Sequence, residues 1–255
     1  MEFVYFNQIV NDNQDMFPYD GALLSAVEAI PASIPDVIRT MQTIDEVCAI
    51  GDGLKWFNGL YLQVTQAVAA RISAGGFSDG AWLELLDVEF AKLYFGALKA
   101  SLSGQSTPEC WQILFERRNQ AAIARIQFAL AGVNAHIDHD LPEAIVNTCV
   151  LSGAGPLHGS LHYTDYTSLN STLDSLIETA KKELNVRLPG NALPAVSRLE
   201  DTIAAWSVSA AREAAWQSAE HIWALRTIGP LGEGYLDMLD GFTTVIGKTL
   251  LVPVP

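Results

Sequence analysis

The sequence FALAGVNAHIDHDLP occupies residues 128–142 and joins an apolar helical run to a dense group of polar side chains. The five positions from His136 to Asp140 hold two of the five histidines of the chain together with two aspartates. No other stretch of the sequence concentrates potential chemistry in this way. Histidines and carboxylates in perturbed surroundings are the usual carriers of acid–base and metal chemistry, so function is expected here first.

The residues that precede this group place it on a helix. Steps of three and four lead from Trp111 through mostly apolar side chains to His136 and Asp140, which is the spacing of one helical face. We therefore expect a continuous helix from Thr107 to about Asp140, with His136 and Asp140 in the core and His139 on a neighbouring face. Three small side chains should let another backbone approach this helix closely: Ala131, Gly132 and Ala135.

The rest of the chain continues the helical pattern. Apolar residues recur at helical spacing and strand-like alternation is lacking, so the sequence predicts an all-α fold. We expect a single-domain bundle of eight or nine helices over residues 20–255, after an irregular lead-in over residues 1–19. Residues 152–168, SGAGPLHGSLHYTDYTS, are predicted to form a loop that could act as a lid. A Pro/Gly connection at 188–194 is predicted to precede one long helix over residues 199–228.

The composition limits the classes of protein and partner. The 255 residues are 49% hydrophobic, which suffices for a sizeable core, and the formal net charge is −14. Such an acidic chain is a poor partner for nucleic acid or an anionic membrane surface, since both select basic faces. The N-terminus lacks the pattern of a secretory signal, and no stretch has the ~18–20 uninterrupted apolar residues of a membrane span.

The cysteines form an odd and widely spaced set: Cys48, Cys110 and Cys149. This spacing predicts reduced thiols and neither a disulfide framework nor a zinc knuckle. Together with the acidic composition, it favours a cytoplasmic protein. The sequence leaves open whether the chain forms a homo-oligomer.

A metal centre is the first interpretation of the polar group. His136 and Asp140 can present nitrogen and oxygen ligands to one cation from a single helical face. Asp87 lies on an apolar stripe in mid-helix, and Asp52 heads another such stripe. A buried carboxylate there needs a capping role, a cation or a metal. The predicted ligands of one or two divalent ions, zinc or alternatively iron, are Asp52, Asp87, His136 and Asp140.

Each of these residues also has a purely structural interpretation. Asp52 can cap the helix that follows it. Asp87 can pair with Arg118, which also lies on an apolar face. His136 and Asp140 can form a satisfied pair in the core, because buried polar groups normally find a partner.

Other aromatic and histidine side chains are candidates for a substrate pocket: Trp56, Tyr94, His158, His162 and Trp216. The two histidines stand in a glycine-rich stretch, where ordinary surface positions are the simpler interpretation. The tryptophans are most simply core residues, although they could also wall an apolar pocket.

Several catalytic motifs are missing from the sequence, and their absence limits the classes of reaction to consider. The sequence has no GxSxG elbow, Walker A loop, GxGxxG loop or HExxH pair, which disfavours covalent acyl-transfer and nucleotide-dependent reactions. The leading hypothesis is metal-dependent hydrolysis of a small, largely apolar ester or phosphoester by metal-activated water. His136, Asp140 and His139 would be catalytic, with His139 as proton shuttle. The alternatives are an iron-dependent, oxygen-activating oxidase or oxygenase, and a metal-free helical cyclase or apolar-ligand-binding protein.

Four blocks of the chain resemble a bacterial family of helical proteins that has no assigned function. They read DGLKWFNGLYLQVT (52–65), LDVEFAKLYF (86–95), NAHIDHDLP (134–142) and REAAWQSAEHIWALR (212–226). The resemblance runs from about Asp20 to Pro253 and implies a single all-α domain without implying an activity. It places the four predicted metal ligands inside the recurring blocks.

A fainter resemblance is to the helical fold of zinc-dependent phospholipase C and nucleases. In that fold a histidine is followed four residues later by an aspartate, and then by a proline and a second histidine. His136, Asp140 and Pro142 match this pattern, but Glu143 and Ala144 stand where the second histidine is expected. The family's N-terminal tryptophan ligand is missing too, so the resemblance implies one or two metal ions and not three.

Overall fold

The structure is a computed structural model that describes residues 17–184, 201, 203–204 and 206–253. These residues form helices joined by short connections and contain no strand, which confirms the all-α prediction. Nine of the described α-helices have nine residues or more. The lead-in up to residue 16 and the connection at 188–194 lie outside the described residues. The α-helices are α1 (Asp20–Ala26), α2 (Ile34–Val47), α3 (Gly53–Ser73), α4 (Gly80–Leu102), α5 (Glu109–Arg117), α6 (Arg125–Asn134), α7 (Leu141–Ser152), α8 (Leu161–Thr167), α9 (Asn170–Leu184), α10 (Val208–Leu225) and α11 (Pro230–Leu250).

Short polar side chains begin five of these helices. Ser33, Asp52, Asp79, Ser160 and Ser207 each accept a hydrogen bond from a backbone N–H in the first turn of the following helix. Each bond satisfies a donor that has no partner within its own helix. The predicted capping role of Asp52 is therefore confirmed.

The centre of the bundle is built on close contact between α3 and α6, while α7 packs against α4 and α10. A side-chain Cβ at Gly132 would overlap the ring of Phe57, and one at Gly53 would overlap the ring of Phe128. The close approach predicted from the small residues of α6 is confirmed. It brings the polar group of residues 136–140 next to the aromatic side chains of α3 and α4.

The predicted continuous helix from Thr107 to Asp140 is wrong, because residues 118–124 separate α5 from α6. The carbonyl of Arg118 accepts a hydrogen bond from the backbone N–H of Gly53 at 2.7 Å. The Gln127 side chain accepts one from the Ala124 N–H at 2.8 Å and so begins α6. Tertiary and local capping bonds thus replace intrahelical ones at a point where the sequence contains no glycine or proline.

Residues 135–140 form one turn of π-helix between α6 and α7. Such turns hold one more residue than an α-helical turn and occur often at functional sites. The helical periodicity of the sequence did not predict this turn. Pro142 stands in the first turn of α7, directly after this π-helical turn.

Two further predictions need correction. Residues 161–167 of the predicted loop form α8, because Ser160 caps it. The long helix predicted over 199–228 is interrupted at 206–207, and α10 begins at Val208 with Ser207 as its cap. No helix in the described part of the chain has the length and apolar character that crossing a membrane requires.

Candidate functional site

The carboxylate of Asp140 is the centre of the polar group. It accepts hydrogen bonds on Oδ2 from His136 Nδ1 and Trp111 Nε1, both at 2.9 Å, and on Oδ1 from His139 Nδ1 at 2.8 Å. Burial by itself would raise the pKa of Asp140, but the bonds from the two histidines outweigh it and lower the pKa. An ionised carboxylate only accepts hydrogen bonds, so each histidine must carry its proton on Nδ1.

His136 lies inside an aromatic box. Its ring stacks on Phe90 with centroids 3.4 Å apart, and the ring of Tyr61 stands edge-on at 4.4 Å. Phe57 and Trp111 close the box at 5.7 and 5.9 Å. Only 2% of His136 is exposed, and burial lowers its pKa against the opposing effect of Asp140. The imidazole is therefore neutral at pH 7, with an unshared electron pair on Nε2.

Two adjoining cavities open beside this box. The first, of about 50 Å³, is lined by His136 and the second, of about 40 Å³, by Asp87. Even together they are smaller than a cavity of about 150 Å³ that accepts a benzene ring, so a ligand the size of a short ester would fit only if the lining side chains moved. Five residues line both cavities: Tyr61, Val64, Phe90, Leu173 and Arg212.

Three buried polar atoms of cavity-lining residues lack a hydrogen-bond partner among the described residues. They are His136 Nε2, Tyr61 Oη and Asp87 Oδ2. The hydroxyl of Thr65 lies close to Tyr61 without the geometry of a hydrogen bond. Burial and the charge of Glu84 raise the pKa of Asp87 to about 7. Unpaired polar atoms in an apolar interior are costly, so they mark positions where a ligand or water would bind.

The structure gives Asp52 a structural role. Its Oδ1 caps α3 by accepting from the Leu54 N–H, and its Oδ2 lies 2.9 Å from Arg118 and 3.1 Å from the Tyr19 hydroxyl. Arg118 also pairs with Asp20 at 2.5 Å. The predicted pairing of Arg118 with Asp87 is therefore wrong, since Arg118 forms ion pairs with Asp20 and Asp52.

The four predicted metal ligands are not brought together. Asp52 belongs to the Arg118 cluster, and both oxygens of Asp140 are held by histidines. Within the described residues, the potential ligand atoms that do converge belong to Cys110, His139 and Asp240, all within 4.8 Å of one another. The carboxylate of Asp240 also accepts hydrogen bonds from the backbone N–H groups of Glu109 and Cys110, both at 2.9 Å. All three cysteines of the chain are buried and free.

The five predicted pocket residues line neither cavity. Tyr94 and Trp216 are fully buried in aromatic packing, as core residues are. Trp56 is covered by the guanidinium of Arg125. His158 bonds to Glu213 and Glu220 on the surface, and His162 stacks on Trp82 and bonds to Asp79.

Sequence reasoning missed the residues that complete the site. Tyr61, Phe90 and Arg212 come from three helices, and nothing in their spacing indicates that they share a cavity. Trp111 was recognised only as the start of an apolar stripe, whereas its indole N–H also bonds to Asp140. Asp138, between the two histidines, is only partly exposed, and burial raises its pKa to about 7.

The fold and this site define an all-helical protein with a buried His–Asp–His group beside an apolar cavity. The chain belongs to a family of unknown function (DUF5995), which matches residues 34–253. No curated protein and no solved structure matches the chain. The resemblance to the zinc-dependent phospholipase C and nuclease fold receives no support from these comparisons.

Proposed function

We propose that this protein is an acid–base hydrolase of a small, largely apolar ester, in which His136 activates water. One observation carries the proposal: the Nε2 atom of His136 is buried, unpaired among the described residues and located at the wall of an apolar cavity. Asp140 holds the other ring nitrogen, so Nε2 is available as a proton acceptor. This arrangement of a base with an orienting carboxylate is the one that general-base catalysis requires.

The cavity supplies the remaining parts of the reaction. Water bound at Nε2 would attack the ester carbonyl while its proton passes to His136. The Tyr61 hydroxyl is a suitable donor to the resulting oxyanion, because it lines the same cavity as His136 and is unpaired among the described residues. Burial and the charges of Asp87 and Asp140 raise its pKa, so it stays protonated. The tetrahedral intermediate would then expel the alkoxide, which recovers the proton from His136.

His139 has a positioning role in this proposal. It lines neither cavity, and its bond to Oδ1 fixes the second oxygen of Asp140. Burial lowers the pKa of His139, but Asp140, Asp240 and Glu143 outweigh burial and raise it. The hydrogen bond from His139 on the far side of Asp140 favours the ionised carboxylate that orients His136.

A metal-dependent hydrolase, the reaction expected from the sequence, is the second candidate. Its support is the convergence of Cys110, His139 and Asp240, a mixed sulfur, nitrogen and oxygen set that suits zinc better than iron. Burial raises the pKa of Cys110, so a metal would have to displace the thiol proton. A cytoplasmic location, proposed from the acidic composition and the free thiols, would keep this thiol reduced.

Ester hydrolysis by His136→Gln protein tests the first candidate. Short esters such as methyl acetate and methyl butyrate can be followed by proton NMR with the untagged protein. We expect a loss of roughly 10²–10⁴-fold in rate, the contribution of a positioned general base. His221→Gln, at an exposed histidine, is the matched control and should leave the rate unchanged. Equal rates in folded His136→Gln and wild-type protein would remove His136 from the reaction.

Metal analysis of untagged protein separates the two candidates. The second candidate predicts about one equivalent of zinc that disappears in Cys110→Ser protein, together with a rate that falls with chelator. The first candidate predicts hydrolysis that chelator does not change. A chelator-insensitive rate would eliminate the metal-dependent mechanism.

A further inference from the structure

Arg212 is a buried cation whose charge the described residues leave without a counterion. It is 7% exposed, and its guanidinium donates to the Asn170 side chain at 2.9 Å and to the Tyr166 carbonyl at 2.8 Å. It also lies over the Tyr166 ring at 3.8 Å. These neutral contacts satisfy part of its five N–H donors, but none of them neutralises the charge.

No described carboxylate lies within ion-pair distance of Arg212. Asp174 is the acid whose charge reaches it, and that carboxylate accepts a hydrogen bond from the Ser209 hydroxyl at 2.5 Å. Arg118 provides the contrast within the same chain, because two aspartates pair with it directly. A buried charge without an opposite charge is strongly disfavoured, so its retention indicates an anion supplied from outside.

Arg212 lines both cavities, and the surroundings of the first are otherwise almost entirely apolar. We propose that the site takes a small monocarboxylate with a short apolar body, held at its carboxylate by Arg212. This inference rests on the proposed function and names its substrate class. The ester would be one that also carries a carboxylate, such as a half-ester of a short dicarboxylic acid.

The first cavity gives this ligand an orientation. His136 and Arg212 line the same space, so a molecule bound through its carboxylate to Arg212 would direct its other end towards His136. The planar guanidinium fork matches a carboxylate. A phosphate fits less well, because it carries more charge and needs more donors than one arginine provides. The net charge of −14 slows the arrival of anions but does not offset a cation inside the cavity.

Calorimetric titration with butyrate, butyramide and inorganic phosphate tests this assignment. Butyrate and butyramide have nearly the same shape and differ in charge. We expect the wild-type protein to bind butyrate at least tenfold more tightly than butyramide and phosphate. Equal affinity for the acid and the amide, or for butyrate and phosphate, would overturn the assignment.

Variants locate the binding site. Arg212→Gln should bring the affinities for butyrate and butyramide within about twofold of each other, whereas Arg226→Gln, at an exposed arginine stacked on Trp223, should keep the preference. Because Arg212→Gln also removes contacts to α8 and α9, Arg212→Lys is the milder variant, and it should weaken butyrate binding at least threefold. A folded variant that keeps the full preference would overturn the assignment.

The proposed ligand class and the proposed reaction can be refuted independently of each other. Binding of butyrate that depends on Arg212, without ester hydrolysis that depends on His136, would refute the reaction and support the ligand. Hydrolysis of methyl butyrate as fast as of monomethyl succinate would refute the ligand class and leave His136 in place.

Discussion

The Arg118 cluster and the His136 cluster are both buried, but they differ in whether their polar atoms have hydrogen-bonding partners. In the first, Arg118 holds Asp20 and Asp52 at 2.5 and 2.9 Å, and a helix cap and Tyr19 complete the set. In the second, Asp140 is saturated while Nε2 of His136 lacks a partner among the described residues. Pairing serves stability, whereas an unpaired atom at a cavity wall is available for chemistry. This difference is the reason why we propose a reaction at the His136 cluster and a structural role for the Arg118 cluster.

The largest effect is expected from Asp140→Asn. An asparagine can no longer select the Nδ1–H tautomer of His136, and a matching change in a serine protease triad lowers the rate by about 10⁴-fold. We expect a loss of roughly 10²–10⁴-fold in ester hydrolysis, measured by proton NMR. Asp138→Asn makes the same change two residues away and should leave the rate within about threefold of wild type. An active, folded Asp140→Asn protein would show that the orientation of His136 is irrelevant.

Arg118→Met should act on stability and not on the reaction. It leaves Asp20 and Asp52 buried without their cation, which costs about 3–5 kcal/mol in comparable cases. Urea unfolding measures the loss, and Arg39→Met, at the exposed Asp36 pair, is the control with little expected effect. The fraction of Arg118→Met that stays folded should hydrolyse ester at the wild-type rate. A large drop in that rate would show that the Arg118 cluster also affects the reaction at His136.

Asp87→Asn should change how stability depends on pH. Burial and Glu84 raise the pKa of Asp87 from 3.8 to about 7, so the folded protein binds this proton more tightly than the unfolded chain does. Its contribution to stability is therefore complete below pH 3.8 and is lost as pH rises towards 7 and above. Relative to wild type, Asp87→Asn should gain roughly 2–4 kcal/mol between pH 5 and pH 8. If the urea midpoints of the variant and the wild type changed in parallel from pH 5 to pH 8, the raised pKa of Asp87 would be contradicted.

His158→Gln should have the smallest effect. The two ion pairs of His158 lie on the surface, and exposed pairs contribute roughly 0–1 kcal/mol. We expect an unfolding midpoint and an ester hydrolysis rate close to wild type. A rate loss above tenfold would show that the loop at 153–160 takes part in the reaction, as the predicted lid would require.

The sequence predicted the surroundings of some candidate residues correctly. His136 and Asp140 are four residues apart on an apolar face, and this spacing is enough to predict that they are buried together. The position of Asp52 after a glycine and before a helix is enough to predict its cap. Arg212 could not be recognised as a candidate, because the role proposed for it depends on the absence of a counterion among the described residues. Residues that line one cavity from several helices have no regular spacing in the sequence, so a periodic pattern cannot reveal them.

The all-α fold, the capping positions and the buried face of residues 128–142 follow from the sequence by itself, because helical periodicity and capping are local properties of the chain. Tertiary structure decided where that face is interrupted, which acids pair with Arg118, and which nitrogen of His136 has no partner in the part of the chain that the structure describes. These outcomes depend on contacts between distant residues, such as the bond from Gly53 to Arg118 and the bond from Trp111 to Asp140. A local pattern places a side chain on a face, and only packing determines what that face meets.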